Sequence, residues 1–129
     1  MIDNVQERGA VMTTEGFKIE TETLPDGVVL LALTGYLDAH TFERLEEVIS
    51  TEFAKGHYRL VINLEKVEYI SSAGAGVFIG ALSEAHEHNG NIVLMNPTTN
   101  VREVFDLLGL MQIFPIVASR SAALVAFNR

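Results

Sequence analysis

Two adjacent hydroxyls, Ser71 and Ser72, stand where the apolar stretch ending in Tyr69-Ile70 gives way to Ala73-Gly74-Ala75-Gly76-Val77-Phe78-Ile79-Gly80. Ala73, Val77, Ala81 and Ala85 then recur at four-residue spacing with Phe78 and Leu82 beside them, which predicts a helix with an apolar stripe starting at or beside Ser72. A serine at a helix start can accept from the free backbone N–H groups of the first turn. A phosphate on the same oxygen would carry about −1.5 to −2 charges and would lie among those donors, at the positive end of the helix dipole. The chemistry on offer is a cap, a phosphoacceptor, or both.

Other chemistries fit less well. A serine hydrolase needs a Gly-x-Ser-x-Gly elbow, and Ile70 stands where its first glycine belongs, although His40 could lie near Ser72 across a shared sheet edge. Gly74, Gly76 and Gly80 have one residue too many before the last glycine for a dinucleotide loop, and close helix–sheet packing explains them better. His86 and His88, two apart on a helix, point in different directions. Glu84 with His88 has metal-pair spacing but lacks a further ligand. With no cysteine, thiolate zinc sites, disulfides and cysteine nucleophiles are excluded. The expectation is a non-enzymatic domain without metal or cofactor.

The bulk numbers narrow the partners. A chain of 129 residues, 48% hydrophobic and 20% charged, is enough for one domain with a real core. Nine basic against 17 acidic residues give a net charge of −8, which disfavours nucleic acid and anionic membrane surfaces. No run approaches the roughly 20 apolar residues that span a bilayer, and Met1 through Arg8 lacks the pattern of a secretory signal. A cytoplasmic protein is expected.

The elements that must position the serines follow from periodicity. Residues 1–16 are polar with no sustained period and read as a flexible N-terminal arm, leaving 17–129 as the folded domain. Phe17 to Thr21 and Val28 to Leu33, joined by Pro25-Asp26-Gly27, predict a β-hairpin. Asp38 or Thr41 can cap a helix whose Phe42, Leu45, Ile49 and Phe53 share one face. Residues 58–64 read as a central strand, followed by the serine-led helix and a buried strand over 92–95. Asn100 with Glu103 resembles a capping box for the next helix, Ile113 to Ile116 a short edge strand, and Ser119 the start of a last helix. The order predicts an α/β fold: a mixed, mostly parallel sheet of four to five strands with an N-terminal hairpin and about four helices. The Asp38 loop and the Ser72 turn would share its carboxyl edge as one surface.

At these residues the chain resembles the STAS-domain anti-sigma factor antagonists of bacterial partner-switching systems, over roughly Phe17 to Phe127. Ser71-Ser72-Ala73-Gly74-Ala75-Gly76 is similar to the family's Asp-Ser-Ser/Ala-Gly-Leu-Gly, and Thr34-Gly35-Tyr36-Leu37-Asp38 to its Gly-x-Leu-Asp loop. Val61 to Leu64, and Val101 through Leu110 to Phe114, agree with its central strand and C-terminal third. The resemblance implies a STAS-like fold, with Ser72 as phosphoacceptor and Asp38, Ser71, Ser72, Ala73 and Gly74 on the partner surface. It implies as partners an anti-sigma factor that is a GHKL-type serine kinase and a PP2C-type phosphatase. The unphosphorylated form would bind the anti-sigma factor and free the sigma factor; the phosphorylated form would not. Ser71 stands where the family usually has Asp, and Ala75 where it usually has Leu, so Ser71 is the second candidate for modification. The alternative is a non-phosphorylated STAS module in a lipid-transport, stressosome-like or small-molecule-sensing assembly, with Ser72 only a cap.

Overall fold

The computed structural model describes residues 8–14 and 16–128. Six strands, β1 (Arg8–Thr14), β2 (Phe17–Thr23), β3 (Val28–Leu37), β4 (Arg59–Ile70), β5 (Asn91–Met95) and β6 (Ile116–Val117), lie side by side in chain order. The first two pairings are antiparallel and the other three parallel. Four helices connect or follow them: α1 (Phe42–Ala54), α2 (Ser72–Glu87), α3 (Thr99–Leu107) and α4 (Arg120–Phe127). The expected hairpin is β2–β3, with Asp26 and Gly27 at positive φ in its turn.

The sheet has six strands where four to five are expected, because the arm expected over 1–16 contains β1. Met12 faces Ile19 and Thr14 faces Phe17 in that pairing. The segment lacks a clear period, yet an available sheet edge satisfies its backbone groups, and half-buried Met12 packs on the core. Of the rest of that arm, residues 1–7 and Glu15 lie outside the described residues. At the other edge the strand expected over 113–116 is only Ile116–Val117, since Phe114 turns into the core.

Helices cover both faces. Leu45, Ile49 and Phe53 of α1, the apolar stripe of α2, and Val101 and Phe105 of α3 close over Val29, Leu31, Leu33, Leu60, Ile62, Leu64, Ile92 and Leu94. Phe78, Phe105 and Phe114 meet there with ring centroids 5.6 to 6.4 Å apart. Alternation turns Val28, Leu30, Val61, Val93 and Met95 to the other face, where Ala123 of α4 packs on them.

Strand β4 is longer than the expected 58–64 and carries the geometry of the site. Between Ala32↔Asn63 and Thr34↔Lys66, and again between Gly35↔Val67 and Tyr36↔Tyr69, it holds one residue more than β3. These bulges shift the inward positions from Leu60, Ile62 and Leu64 to Val67 and Ile70, breaking the period that marks a strand in the sequence. Beyond Asn63 no β5 residue pairs with β4. Instead the Thr98 hydroxyl donates to the Val67 carbonyl (3.2 Å) and Asn100 Nδ2 to that of Glu68 (3.3 Å).

Candidate functional site

Strands β3 and β4 end together on the Leu37↔Ile70 pair, and both side chains are buried. The next residues, Asp38 and Ser71, therefore leave the sheet side by side, which brings the two sequence-predicted loops onto one edge. The Ser71 N–H donates to the Leu37 carbonyl at 2.9 Å and locks the start of α2 to the end of β3.

The cap falls one residue earlier than expected. Ser71, extended at φ −97° and ψ 171°, is the N-cap, and its Oγ accepts from the Gly74 N–H at 3.2 Å. Its carbonyl accepts the first intrahelical bond, from Ala75 N–H. Ser72 is thus the first helical residue, and its hydroxyl has no capping bond. Ser71 is half-buried, whereas Ser72 and Ala73 are exposed. The N–H groups of Ser72 and Ala73 precede the intrahelical ladder and point out of the helix end. An anion carried by the Ser72 side chain would meet those donors and the positive end of a 16-residue helix.

Gly74 is where the helix touches the sheet. A Cβ there would sit 2.6 Å from the Leu37 carbonyl oxygen and 2.8 Å from Leu37 Cγ, so only glycine lets the first turn approach this closely. The close-packing expectation fails for Gly76 and Gly80, which have nothing within 4 Å of an added Cβ. Both are exposed, along the shallow groove between α1 and α2.

Neither Asp38 nor Thr41 caps α1 through its side chain. Thr41 occupies the N-cap position without a side-chain capping bond, and Asp38 Oδ1 instead accepts from the His40 N–H at 2.9 Å, closing an Asx turn. The Thr41 hydroxyl is committed elsewhere: it donates to the Tyr36 carbonyl (2.7 Å) and accepts from the Asp38 N–H (2.9 Å). These bonds shape the loop beside Ser71. Among the described residues, no hydrogen bond joins the His40 ring to Ser72.

Tyr36 and Tyr69 join this edge only in the folded structure. They are register partners one residue before Leu37 and Ile70, are 49% and 47% exposed, and lie on the opposite side of the sheet from the buried pair. The available signal was parity, since each precedes a buried residue at a strand end. Similarly, the capping box expected at Asn100 is displaced: Thr98 caps α3 by accepting from the Val101 N–H. Among the described residues, no group of three or more His, Asp or Glu side chains could hold a metal ion. No described helix is long and apolar enough to cross a membrane.

The class so defined is a small α/β domain that presents a capped helix start and its serines at the carboxyl edge of a mixed sheet. The STAS domain family matches residues 18–123, and the chain belongs to that family. BtrV of Bordetella bronchiseptica, assigned by its name to the anti-sigma factor antagonists, is 36% identical over 103 residues, spanning 80% of this chain and 89% of BtrV. The anti-sigma factor antagonist SpoIIAA in its unphosphorylated form superimposes with a TM-score of 0.75 at 28% identity, covering 85% of this chain and 96% of SpoIIAA. SpoIIAA of Bacillus in the phosphorylated form gives 0.68 at 28% identity, over 84% and 97% of the two chains. The mixed α/β fold of this chain, six strands and four helices, matches that of the unphosphorylated SpoIIAA.

Proposed function

We propose that the protein is an anti-sigma factor antagonist and a substrate and ligand rather than an enzyme. Its unphosphorylated form binds an anti-sigma factor that is a GHKL-type serine kinase, which releases the sigma factor. Phosphorylation of Ser72 ends that binding, and a PP2C-type phosphatase restores it. The reading rests on one observation above all: Ser72 is an exposed hydroxyl at the first position of α2, while the neighbouring Ser71 hydroxyl is occupied in capping the same helix. Modifying Ser71 would disrupt the cap; modifying Ser72 adds charge where the helix end favours it. Relatives named as anti-sigma factor antagonists, and SpoIIAA in both phosphorylation forms, support the same reading. Asp38, Ala73 and Gly74 belong to the docking surface, and the proposed place of action is the cytoplasm.

Incubation with ATP and the GHKL-type kinases of the source organism, followed by peptide mass spectrometry, is the direct test. One phosphate on Ser72 is expected. Ser72→Ala should then bind the anti-sigma factor constitutively, and Ser72→Asp should bind it at least tenfold more weakly than wild type. A phosphate on Ser71 would reassign the acceptor. No phosphate with any such kinase would favour a STAS binding module without a phosphoswitch.

A further inference from the structure

The sheet face that α4 packs on is covered only in part. The apolar cluster beneath α4 runs along β3 through Val28, Leu30 and Ala32, and it does not extend to Thr34 or Tyr36 on the same face. Beyond it the register sets Thr34 beside Lys66 and Tyr36 beside Tyr69, so the uncovered strip ends in two half-exposed rings at the serine edge. Among the described residues, neither phenol hydroxyl has a hydrogen-bond partner in the protein.

The backbone that carries these rings is nonetheless fixed. The Tyr36 N–H donates to the Gly16 carbonyl at 2.9 Å, and the Tyr36 carbonyl accepts from the Thr41 hydroxyl at 2.7 Å. Gly35, at φ +104°, makes room for that Gly16 carbonyl, which a Cβ at position 35 would strike. Tyr69 is the register partner of Tyr36, and the Glu68 carbonyl just before it accepts from Asn100 Nδ2. Aromatic side chains on a rigid backbone lose little freedom on binding, and tyrosines are enriched among the residues that carry interface energy.

Their place at the edge indicates what they would meet. Asp38, Ser72, Ala73 and Gly74 make a small patch, whereas a specific interface takes about 20–30 residues a side, so a partner gripping that patch must spread onto a neighbouring face. Of the large apolar side chains exposed among the described residues, Tyr36 and Tyr69 are the nearest to it in the chain, two residues before Asp38 and two before Ser71.

We propose that the docking surface for the anti-sigma factor wraps from the serine edge onto this outer sheet face, with Tyr36 and Tyr69 as its aromatic anchors; the proposal rests on the partner-switching reading. A phosphate on Ser72 then acts at one side of the interface while the tyrosines hold the other.

The test is a calorimetric titration of the full chain with each purified GHKL-type kinase of the source organism. Tyr36→Ser and Tyr69→Ser should each weaken binding at least tenfold, and Tyr36→Phe and Tyr69→Phe, which keep the rings, should lose less. In phosphorylation of Ser72 the serine variants should raise KM by a similar factor and leave kcat unchanged. Leu107→Ala, which removes an apolar side chain that is 87% exposed at the far end of α3, should bind like wild type. Should a tyrosine variant not fold, the ring-proton shifts of Tyr36 and Tyr69 in the wild-type complex decide instead. Folded serine variants that bind like wild type, or rings that do not shift, would overturn the proposal and leave the phosphoswitch standing as long as Ser72→Asp still binds poorly. Sedimentation of the isolated chain that changes with Tyr36→Ser or Tyr69→Ser would assign the rings to a second copy and also overturn it. A wild-type chain that binds none of the kinases would sink both readings.

Discussion

Ser71 and Ser72 differ by one position along the chain and by role in the helix, and the difference is measurable. Ser71 Oγ satisfies the buried Gly74 N–H, so Ser71→Ala should cost about 0.5–2 kcal/mol in urea unfolding. Ser72→Ala removes an exposed hydroxyl from the first helical position and should stay within about 0.5 kcal/mol of wild type. Equal losses would mean that the cap is shared. Asp38 separates in the same way: Asn keeps the acceptor that closes the Asx turn onto His40, and Ala does not. Asp38→Asn should therefore leave stability nearly unchanged while Asp38→Ala loses about 1 kcal/mol, read from the same unfolding curves. The sequence made both loops legible, because Ser, Asp and Gly at apolar-run boundaries have few other uses. It could not assign the caps, since a one-residue shift in a helix start leaves the apolar stripe of Val77, Ala81 and Ala85 intact.

The elements meet most tightly at the first turn of α2, and its glycines divide accordingly. Gly74→Ala forces a Cβ to within 2.6 Å of the Leu37 carbonyl and should cost about 1–3 kcal/mol through overpacking. Gly76 and Gly80 sit in a helix interior with open space around them, so each Gly→Ala change should stabilise by about 0.5–1 kcal/mol. Thermal unfolding of the three variants checks both signs at once. Identical glycines in a sequence give no hint of this division, which depends on which side of α2 faces β3. The helices and the β2–β3 hairpin were legible because their apolar periods are unbroken. Local pattern ends strand β4 at Leu64 because two bulges reset its alternation, and it leaves β1 without a strand signal because its ordering depends on the edge of β2. Tertiary pairing supplied what local pattern lacked.

Across the whole molecule, packing is unevenly distributed, and this bears on how a phosphate could act. Strands β3 and β4 are buried beneath α1, α2 and α3, and at the serine edge Leu37 and Ile70 are almost wholly enclosed. By contrast α4 has eight residues, of which only Ala123 is buried. It is tied to β2 by a two-pronged contact between Arg120 and Glu22, whose hydrogen bond raises the arginine pKa further above its ordinary value. A partly exposed pair of this kind contributes about 0–1 kcal/mol, so α4 should open before the central strands. A phosphate on Ser72 would project from an exposed position at the start of α2, beside exposed Ala73. Hydrogen exchange should accordingly show faster exchange in α4 than in β4 in both states. The difference between phosphorylated and unphosphorylated protein should be confined to the first turn of α2 and the 38–41 loop. Altered protection spreading through β4 or α3 would instead require a refolding switch; confinement to the edge leaves charge and bulk at the docking surface as the way phosphorylation is read.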